Sequence, residues 1–311
     1  MSVVDADALS AETYPRKQML APGVFAIVQD DGSWGLSNAG LICADGVSVL
    51  VDTLFTERRN RILREMVLES APGGLNFLVN THHHGDHVYG NGWFPEATVI
   101  SHTSTREAVL RMDAGASARR FTTVDFGDSR PTAATITYET CARIHVGDMT
   151  VEAFFPGVAH CAGNTALFVP ERSVLFAGDL LLKDCTPTFV GGSALGFLPV
   201  LEQLRKLDPE FVVPGHGAIC SASVIDETER YVQFILELAA SGLAEGRTPL
   251  QVAQDAQLGE FADWLDSERI VGNIYRAMHE LDERTGHGRI DMPAMWRDTE
   301  AWLGHPVHSR A

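Results

Sequence analysis

No stretch of this chain runs to the roughly 20 consecutive apolar residues that a membrane-spanning helix requires. The start, MSVVDADALSAE, lacks the basic opening and apolar stretch of a secretory signal, so the expected compartment is the cytoplasm. Basic residues are scarce: 24 Lys and Arg stand against 41 Asp and Glu, for a formal net charge of -17. A surface of that sign repels phosphate backbones and anionic lipid, so neither nucleic acid nor a membrane is expected as a partner. The five cysteines, Cys43, Cys141, Cys161, Cys185 and Cys220, are odd in number and widely spread, with no C-x-x-C pair. Reduced thiols fit that pattern better than a disulfide framework. Internal repeats and low-complexity tracts are also missing.

What remains is an ordinary globular composition, 45% hydrophobic and 21% charged over 311 residues. Residues 1–14 read as a loose terminus. From GVFAIVQD to GVSVLVDT the text reads as strands parted by glycine-containing turns, with DDGSWG as a hairpin connection. ERRNRILREMVLES has helical periodicity, LNFLVN and EATVIS read as short strands, and STREAVLRMDA as a helix. Further on, ALFVPERSVLFAGD reads as strand, turn and strand. A Gly-rich loop TPTFVGGSALGF, a helix LPVLEQLRKLD and a strand FVVPG follow. Beyond Ser221 the periodicity is helical. The expected class is α/β, with a body over 15–222 and a helical extension over 223–311.

The stretch VNTHHHGDHVYGN crowds four histidines and an aspartate into six positions just after a strand. His82 and His84, two apart, can point the same way, whereas Asp86 and His87 must diverge. Neutral imidazoles and carboxylates are the donors that zinc takes in catalytic sites, and H-x-H-x-D-H suits two metals side by side. A bare histidine run is as often a solvated turn. Four other positions argue against that here. His160 follows the apolar run VEAFFP, and His216 lies just past a strand among glycines. Asp52 and Asp179 end strongly apolar strands, where an unpaired carboxylate costs several kcal/mol. Strand C-termini are where an α/β sheet places its site.

Asp52, the His82-x-His84-x-Asp86-His87 run, His160, Asp179 and His216, in that order, resemble the five motifs of the metallo-β-lactamase superfamily. The likeness covers roughly residues 20–220. It implies a four-layer αββα sandwich with a helical C-terminal extension packed on it. By position it implies that His82, His84 and His160 hold one metal, that Asp86, His87 and His216 hold a second, and that Asp179 bridges them. Two zinc ions are the implied cofactors, with iron or manganese as alternatives. Asp52 would hydrogen-bond to the ligand loop. His83 would back the ligands or face solvent. His102 is read as a cap or packing residue of the following helix. His145, His279, His287, His305 and His308 lie outside the motifs, and Cys161 and Cys220 are read as small buried residues.

The implied chemistry is hydrolysis of an activated acyl group, thioester, ester, lactone or amide, by hydroxide generated at the metal pair, with Asp86 as the proton acceptor and donor. Aspartate at 179, rather than Cys or Ser, is similar to the thioester, lactone and phosphodiester hydrolases more than to antibiotic-degrading enzymes. A narrower resemblance runs nearly end to end. GSWGLSNAGLI, NTHHHGDHVYGN, VLFAGDLLLKDCTPTFVGGSALG and RTPLQVAQDAQLGEFADWLDSERIVGNIYRA look like the metallo-β-lactamase-type cyclases of aromatic polyketide biosynthesis. That likeness implies a poly-β-ketone substrate on an acyl carrier protein, for which Arg58, Arg59, Arg61 and Arg64 offer a basic patch. Trp34, Phe189 and Phe197 are candidate substrate contacts, and Lys183 is the one basic candidate near Asp179 for a glyoxalase II-like role. Three classes therefore compete: a hydrolase of small acyl substrates, a thioesterase or cyclase, and a silent scaffold on the same fold. The oligomeric state stays open.

Overall fold

The computed structural model describes residues 14–29, 31–113, 115–282 and 290–311. The loose terminus expected at 1–14, Tyr14 apart, and His287 lie outside the described residues.

A meander opens the chain: β1 (Arg16–Ala21), β2 (Val24–Val28), β3 (Ala39–Ala44) and β4 (Val47–Val51), all antiparallel. Asp45 and Gly46 join β3 to β4 with φ of 50° and 79°. Two successive left-handed residues make the turn whose twist matches a hairpin. β2 and β3 pair as expected around DDGSWG, but the connection runs over 29–38 instead of closing tightly. Its length is spent elsewhere: Asn38 donates from Nδ2 to the carbonyls of Pro214 and Gly217, and Ser37 from Oγ to that of Asp86.

After β4 the chain crosses through α1 (Glu57–Ser70) to β5 (Phe77–Val79), then through α2 (Gly85–Val88) to β6 (Thr98–His102), and through α3 (Thr103–Leu110) and α4 (Gly115–Arg120) to β7 (Ile136–Tyr138). These strands are parallel and complete a seven-stranded sheet in sequential order. The second sheet has five strands: β8 (Cys141–Val146), β9 (Met149–Phe154), β10 (Ala166–Val169), β11 (Val174–Leu182) and β12 (Phe211–His216), ordered β12-β11-β10-β9-β8. α5 (Ala194–Arg205) makes the crossover between the parallel pair β11 and β12. Helices α6 (Ser223–Ala244), α7 (Pro249–Asp255), α8 (Arg269–Leu281) and α9 (Met292–Leu303) follow.

Side-chain alternation sorts the layers. Val49 and Val51 face the second sheet, where they meet Val174, Phe176 and Val213, while Leu50 between them faces α1 and its Leu63 and Val67. On β11, Leu175 and Ala177 turn the other way, toward α5, α6 and α8. Three apolar layers thus separate helix, sheet, sheet and helix, an α/β sandwich with a helical C-terminal region. β4 and β11 are buried on both faces, which explains their unbroken apolar text. No helix among the described residues is long and apolar enough to cross a membrane.

α5 starts earlier than its periodicity suggested, at Ala194, because Ser193 caps it by accepting from the Gly196 N–H at 2.8 Å. Phe197 is therefore a helix residue turned into the core. The arginines of α1 also depart from expectation. Arg59 points inward and donates to Gln29, Arg61 pairs with Glu57 at 2.6 Å, and Arg64 with Glu96 at 2.9 Å. Arg58 stacks over Tyr14 at 4.7 Å. Arg61 and Arg64 are thus paired with carboxylates and Arg59 is buried, which leaves Arg58 as the exposed arginine of α1 with no carboxylate partner among the described residues.

Phe176 fills the space between the sheets so closely that a Cβ at Gly40 would lie 2.2 Å from its ring. Phe176→Ala should cost about 3–5 kcal/mol in chemical denaturation, since the rigid sheets on either side cannot close the void.

Candidate metal centre

Apart from Asp179, the chemically active side chains stand at or beyond the C-terminal ends of strands. Asp52 follows β4; Thr81, His82, His83 and His84 follow β5 and lead into α2 with Asp86 and His87; His160 lies between β9 and β10; His216 ends β12. Asp179 alone sits inside a strand, at an irregularity in the β11–β12 register beside Gly178, whose φ is 51°. A Cβ at Gly215 would fall 2.0 Å from Asp179 Oδ1, so only glycine there leaves room for the carboxylate.

The donors fall into two groups whose ligand atoms lie within 4.8 Å of one another: His82, His84, His160 and Asp179, and Asp86, His87 and His216. Asp179 divides itself between them. Its Oδ2 lies 3.5 Å from His160 Nε2 and 3.8 Å from His82 Nε2. Its Oδ1 lies 3.2 Å from His87 Nε2 and 3.6 Å from His216 Nε2. Asp86 Oδ2 stands 3.3 Å from His216 Nε2, and His84 Nδ1 faces His160 Nε2 at 2.9 Å.

The outward nitrogens orient the rings. His160 Nδ1 meets the Thr188 carbonyl at 2.6 Å, His216 Nδ1 that of Gly32 at 3.1 Å, and His87 Nδ1 the Asp52 carboxylate at 2.8 Å. His82 Nδ1 meets Thr81 Oγ1 at 3.0 Å, and that hydroxyl donates to Asp52 Oδ2 at 2.6 Å. Each of these partners accepts, so each outer nitrogen carries a proton and the inner nitrogen is the one turned to the cluster. Asp52 also accepts from the Thr81 N–H at 2.7 Å and so serves both the loop and His87. It does so from a left-handed backbone, φ 60°, that non-glycine residues adopt rarely.

Burial holds the His82, His84 and His160 rings below the usual imidazole range, so they are neutral donors. Burial acts the same way on His87, but Asp179, Asp52 and Asp86 outweigh it and lift that ring well above the range. Burial also opposes ionisation of Asp86, yet His87 and His216 overcome it and bring its carboxyl down to about 2. Three buried atoms, His82 Nε2, His87 Nε2 and Asp179 Oδ1, make no hydrogen bond. Orphaned buried polar atoms are costly, and here all three point into one constellation of imidazole and carboxylate donors. The residues fit bound metal cations.

A cleft of ≈ 480 Å³ opens onto this centre, lined by His84, Asp86, His160, Asp179 and His216. His83 lines it too, its pKa pushed down to about 4 by burial. So does Trp34. The other three candidate substrate contacts do not. Phe189 and Phe197 are fully buried and pack edge to face at 5.6 Å in the core shared by α5, α6 and α8. Lys183 turns to Glu227 at 2.9 Å and Asp184 at 3.2 Å. Lining residues missed by sequence reasoning include Phe55, Phe121, Glu268, Arg269 and Trp296. None belongs to the five metal-binding motifs, and only chain folding brings them here.

Outside the centre, His102 Nδ1 accepts from the Ser104 N–H at 3.2 Å, capping α3, and its ring stacks on Phe155 at 4.3 Å. His145, His305 and His308 are exposed and His279 is half-buried. Cys161 is buried and Cys220 half-buried.

Residues 32–216 match the family model for the metallo-beta-lactamase superfamily. A metallo-beta-lactamase type 2 from Bacteroides fragilis is 23% identical over 212 residues, 66% of this chain and 79% of the relative. A hydroxyacylglutathione hydrolase from Synechococcus sp. is 29% identical over 150 residues, 45% of this chain and 49% of that one. Among solved structures, a metallo-beta-lactamase from Pontibacter korlensis has a TM-score of 0.59 at 18% identity, covering 70% of this chain and 99% of that one. At that identity the likeness is one of fold.

Asp52→Asn keeps the size of the side chain but removes the charge that orients His87 and Thr81. It should weaken metal affinity by about 10–100-fold in a competition titration with a chelator, with far-UV circular dichroism unchanged.

Proposed function

The chain belongs to the metallo-beta-lactamase superfamily, and on that premise we propose that it is a metal-dependent hydrolase of activated acyl carbonyls. The observation that carries this reading is the divided carboxylate of Asp179, with one oxygen toward His82 and His160 and the other toward His87 and His216. His82, His84 and His160 would hold one cation and Asp86, His87 and His216 the other, with Asp179 between them. Zinc suits neutral imidazoles and carboxylates best, and iron or manganese would compete for the same donors. Cations held there would supply Lewis acidity, lowering the pKa of water and polarising a carbonyl.

The protein's own side chains do the rest. The outward hydrogen bonds of His82, His87, His160 and His216 hold their inner nitrogens in place before substrate arrives. Asp86 is the group placed to move a proton. Its side chain is 14% exposed, lines the cleft, and reaches His216 Nε2 through Oδ2, so it touches solvent and the donor cluster at once. It would accept a proton from the attacking water and return it to the leaving group.

Within that class we place the substrate among thioesters, and specifically among partly cyclised poly-β-ketones delivered by an acyl carrier protein. Trp34, Phe55, Phe121 and Trp296 along the cleft support this reading, because an apolar wall beside a polar floor suits a substrate of that build. Polarising a ketone at the same floor would permit aldol closure as well as hydrolysis. The second reading, a small-thioester hydrolase of general metabolism, draws support from the hydroxyacylglutathione hydrolase relative. Against it, Lys183 is turned away to Glu227 and Asp184 and leaves glutathione's carboxylates without that cation.

Purified, zinc-loaded protein should release thiol from a β-ketoacyl thioester and leave penicillin G intact. Asp86→Asn should cut kcat by at least about 100-fold, the lower range for losing a general acid-base group. Thiol release that survives exhaustive chelation would refute the metal-dependent reading, and fewer than one bound metal equivalent would restore the silent scaffold. New-ring products, measured by mass spectrometry and ultraviolet absorbance, separate a cyclase from a plain thioesterase.

A further inference from the structure

Part of the cleft comes from outside the segment that the family model covers. Residues after 216 supply Glu268, Arg269, Met292, Met295 and Trp296 to its lining. Trp34 and Phe121 continue that surface. The Trp34 ring lies 6.3 Å from that of Trp296 and 6.0 Å from that of Phe121. At such separations the rings already touch, so a third ring cannot slide between them. The planes of Phe121 and Trp296 are tilted by 45° and 50° to that of Trp34, so together they form an angled apolar wall on which a flat group can lie against one ring while touching the edge of the next.

Trp34 is held from several sides. Its indole N–H donates to Glu268 Oε1 at 2.6 Å, and the Arg269 guanidinium lies 4.0 Å over its ring. Arg269 is itself immobilised: Nη1 donates to the Thr186 carbonyl at 2.9 Å and Nη2 pairs with Asp266 at 2.7 Å. The Trp34 carbonyl accepts from Ser309 Oγ at 2.5 Å. The same loop touches the metal-binding side chains, since Gly32 orients His216 and Ser37 holds the Asp86 carbonyl. A buried ion pair and a desolvated carboxylate are poor ways merely to fasten a helix, because apolar packing does so at lower desolvation cost. Here they fix the ring of a half-buried tryptophan that faces the cleft.

The charges of the cleft are also committed. Arg120 pairs with Glu300 at 3.0 Å and lies 4.0 Å over Trp296, and Arg269 is engaged as described. Neither arginine of the lining is left to receive an anionic acyl group.

We propose that Glu268 and Arg269 are positioning residues for Trp34, and that Trp34 with Trp296 selects substrates whose acyl group is planar and uncharged. The reaction in this proposal rests on the hydrolase reading above; the selection rests on the geometry of α8 and α9.

The test uses metal-loaded protein and two readouts. One is tryptophan fluorescence during titration with 2-acetonaphthone, a flat, uncharged ketone that cannot be hydrolysed. The other is kcat and KM for the N-acetylcysteamine thioesters of 2-naphthoic and hexanoic acids. The ketone should bind, and the naphthoyl thioester should be preferred. Glu268→Ala and Trp296→Ala should each weaken ketone binding about tenfold or more and raise the naphthoyl KM more than they lower kcat. Glu268→Gln keeps an acceptor for the indole and should restore binding to within about threefold of the native protein. Adding Glu268→Ala to Trp34→Phe, which has no N–H to lose, should cost little more. No ketone binding to the native protein overturns the proposal. So does unchanged binding in both alanine variants, or an equal loss for the two thioesters. Ketone binding that is lost in the alanine variants, without hydrolysis of either thioester, would strike the hydrolase reading and leave the selective wall standing. Hydrolysis of both thioesters at equal efficiency, without ketone binding, would do the reverse.

Discussion

One carboxylate sets the terms for the rest of the molecule. Asp179 is 6% exposed, enters from the middle of a strand buried on both faces, and turns each of its oxygens to a different pair of imidazoles. A charge so placed is tolerable only when surrounded by compensating groups. The left-handed Gly178 in β11, the missing side chain at Gly215, and the three strands that lead to the donor histidines all serve that requirement. The two sheets hold these ends at fixed separations, because their inner faces interlock around Phe176, Val49 and Val174.

A second ring of contacts turns proximity into orientation. Asp52 joins the Thr81 backbone, the Thr81 hydroxyl and His87, while Thr188 and Gly32 take the outer nitrogens of His160 and His216. Gly32 belongs to the loop that also carries Trp34, so that loop touches both the histidine cluster and the helical extension through Glu268 and Arg269. The histidine cluster and the helical side of the cleft are thereby joined through one short segment. Helices beyond the family-matched residues can remodel the cleft while the donors stay where the sheets put them.

Much of this was legible in the text. The H-x-H-x-D-H run, and single histidines or aspartates at the ends of apolar strands, are unusual enough that spacing alone marks them out. Errors arose where a side chain's direction depends on a boundary. Phe197 read as a loop residue at the mouth, yet Ser193 starts the helix early and rotates it inward. Lys183 stands four residues from Asp179, but Glu227 on α6 claims it, a contact invisible at that distance along the chain. The arginines of α1 read alike in sequence, but Arg59 turns inward to Gln29 while Arg61 and Arg64 meet Glu57 and Glu96.

Periodicity and donor chemistry are local properties of the sequence, and they were enough to reveal the α/β class, most strands and helices outside the stretch 103–140, and the identity of the clustered donors. Only the tertiary structure decided that Asp179 faces two groups at once, that Phe189 is core while Trp34 is wall, and that residues near 268 and 296 complete the cleft. Those outcomes depend on which surfaces meet across hundreds of residues of separation, as Trp34 and Glu268 do. Packing settles such meetings, and no single stretch of chain encodes them.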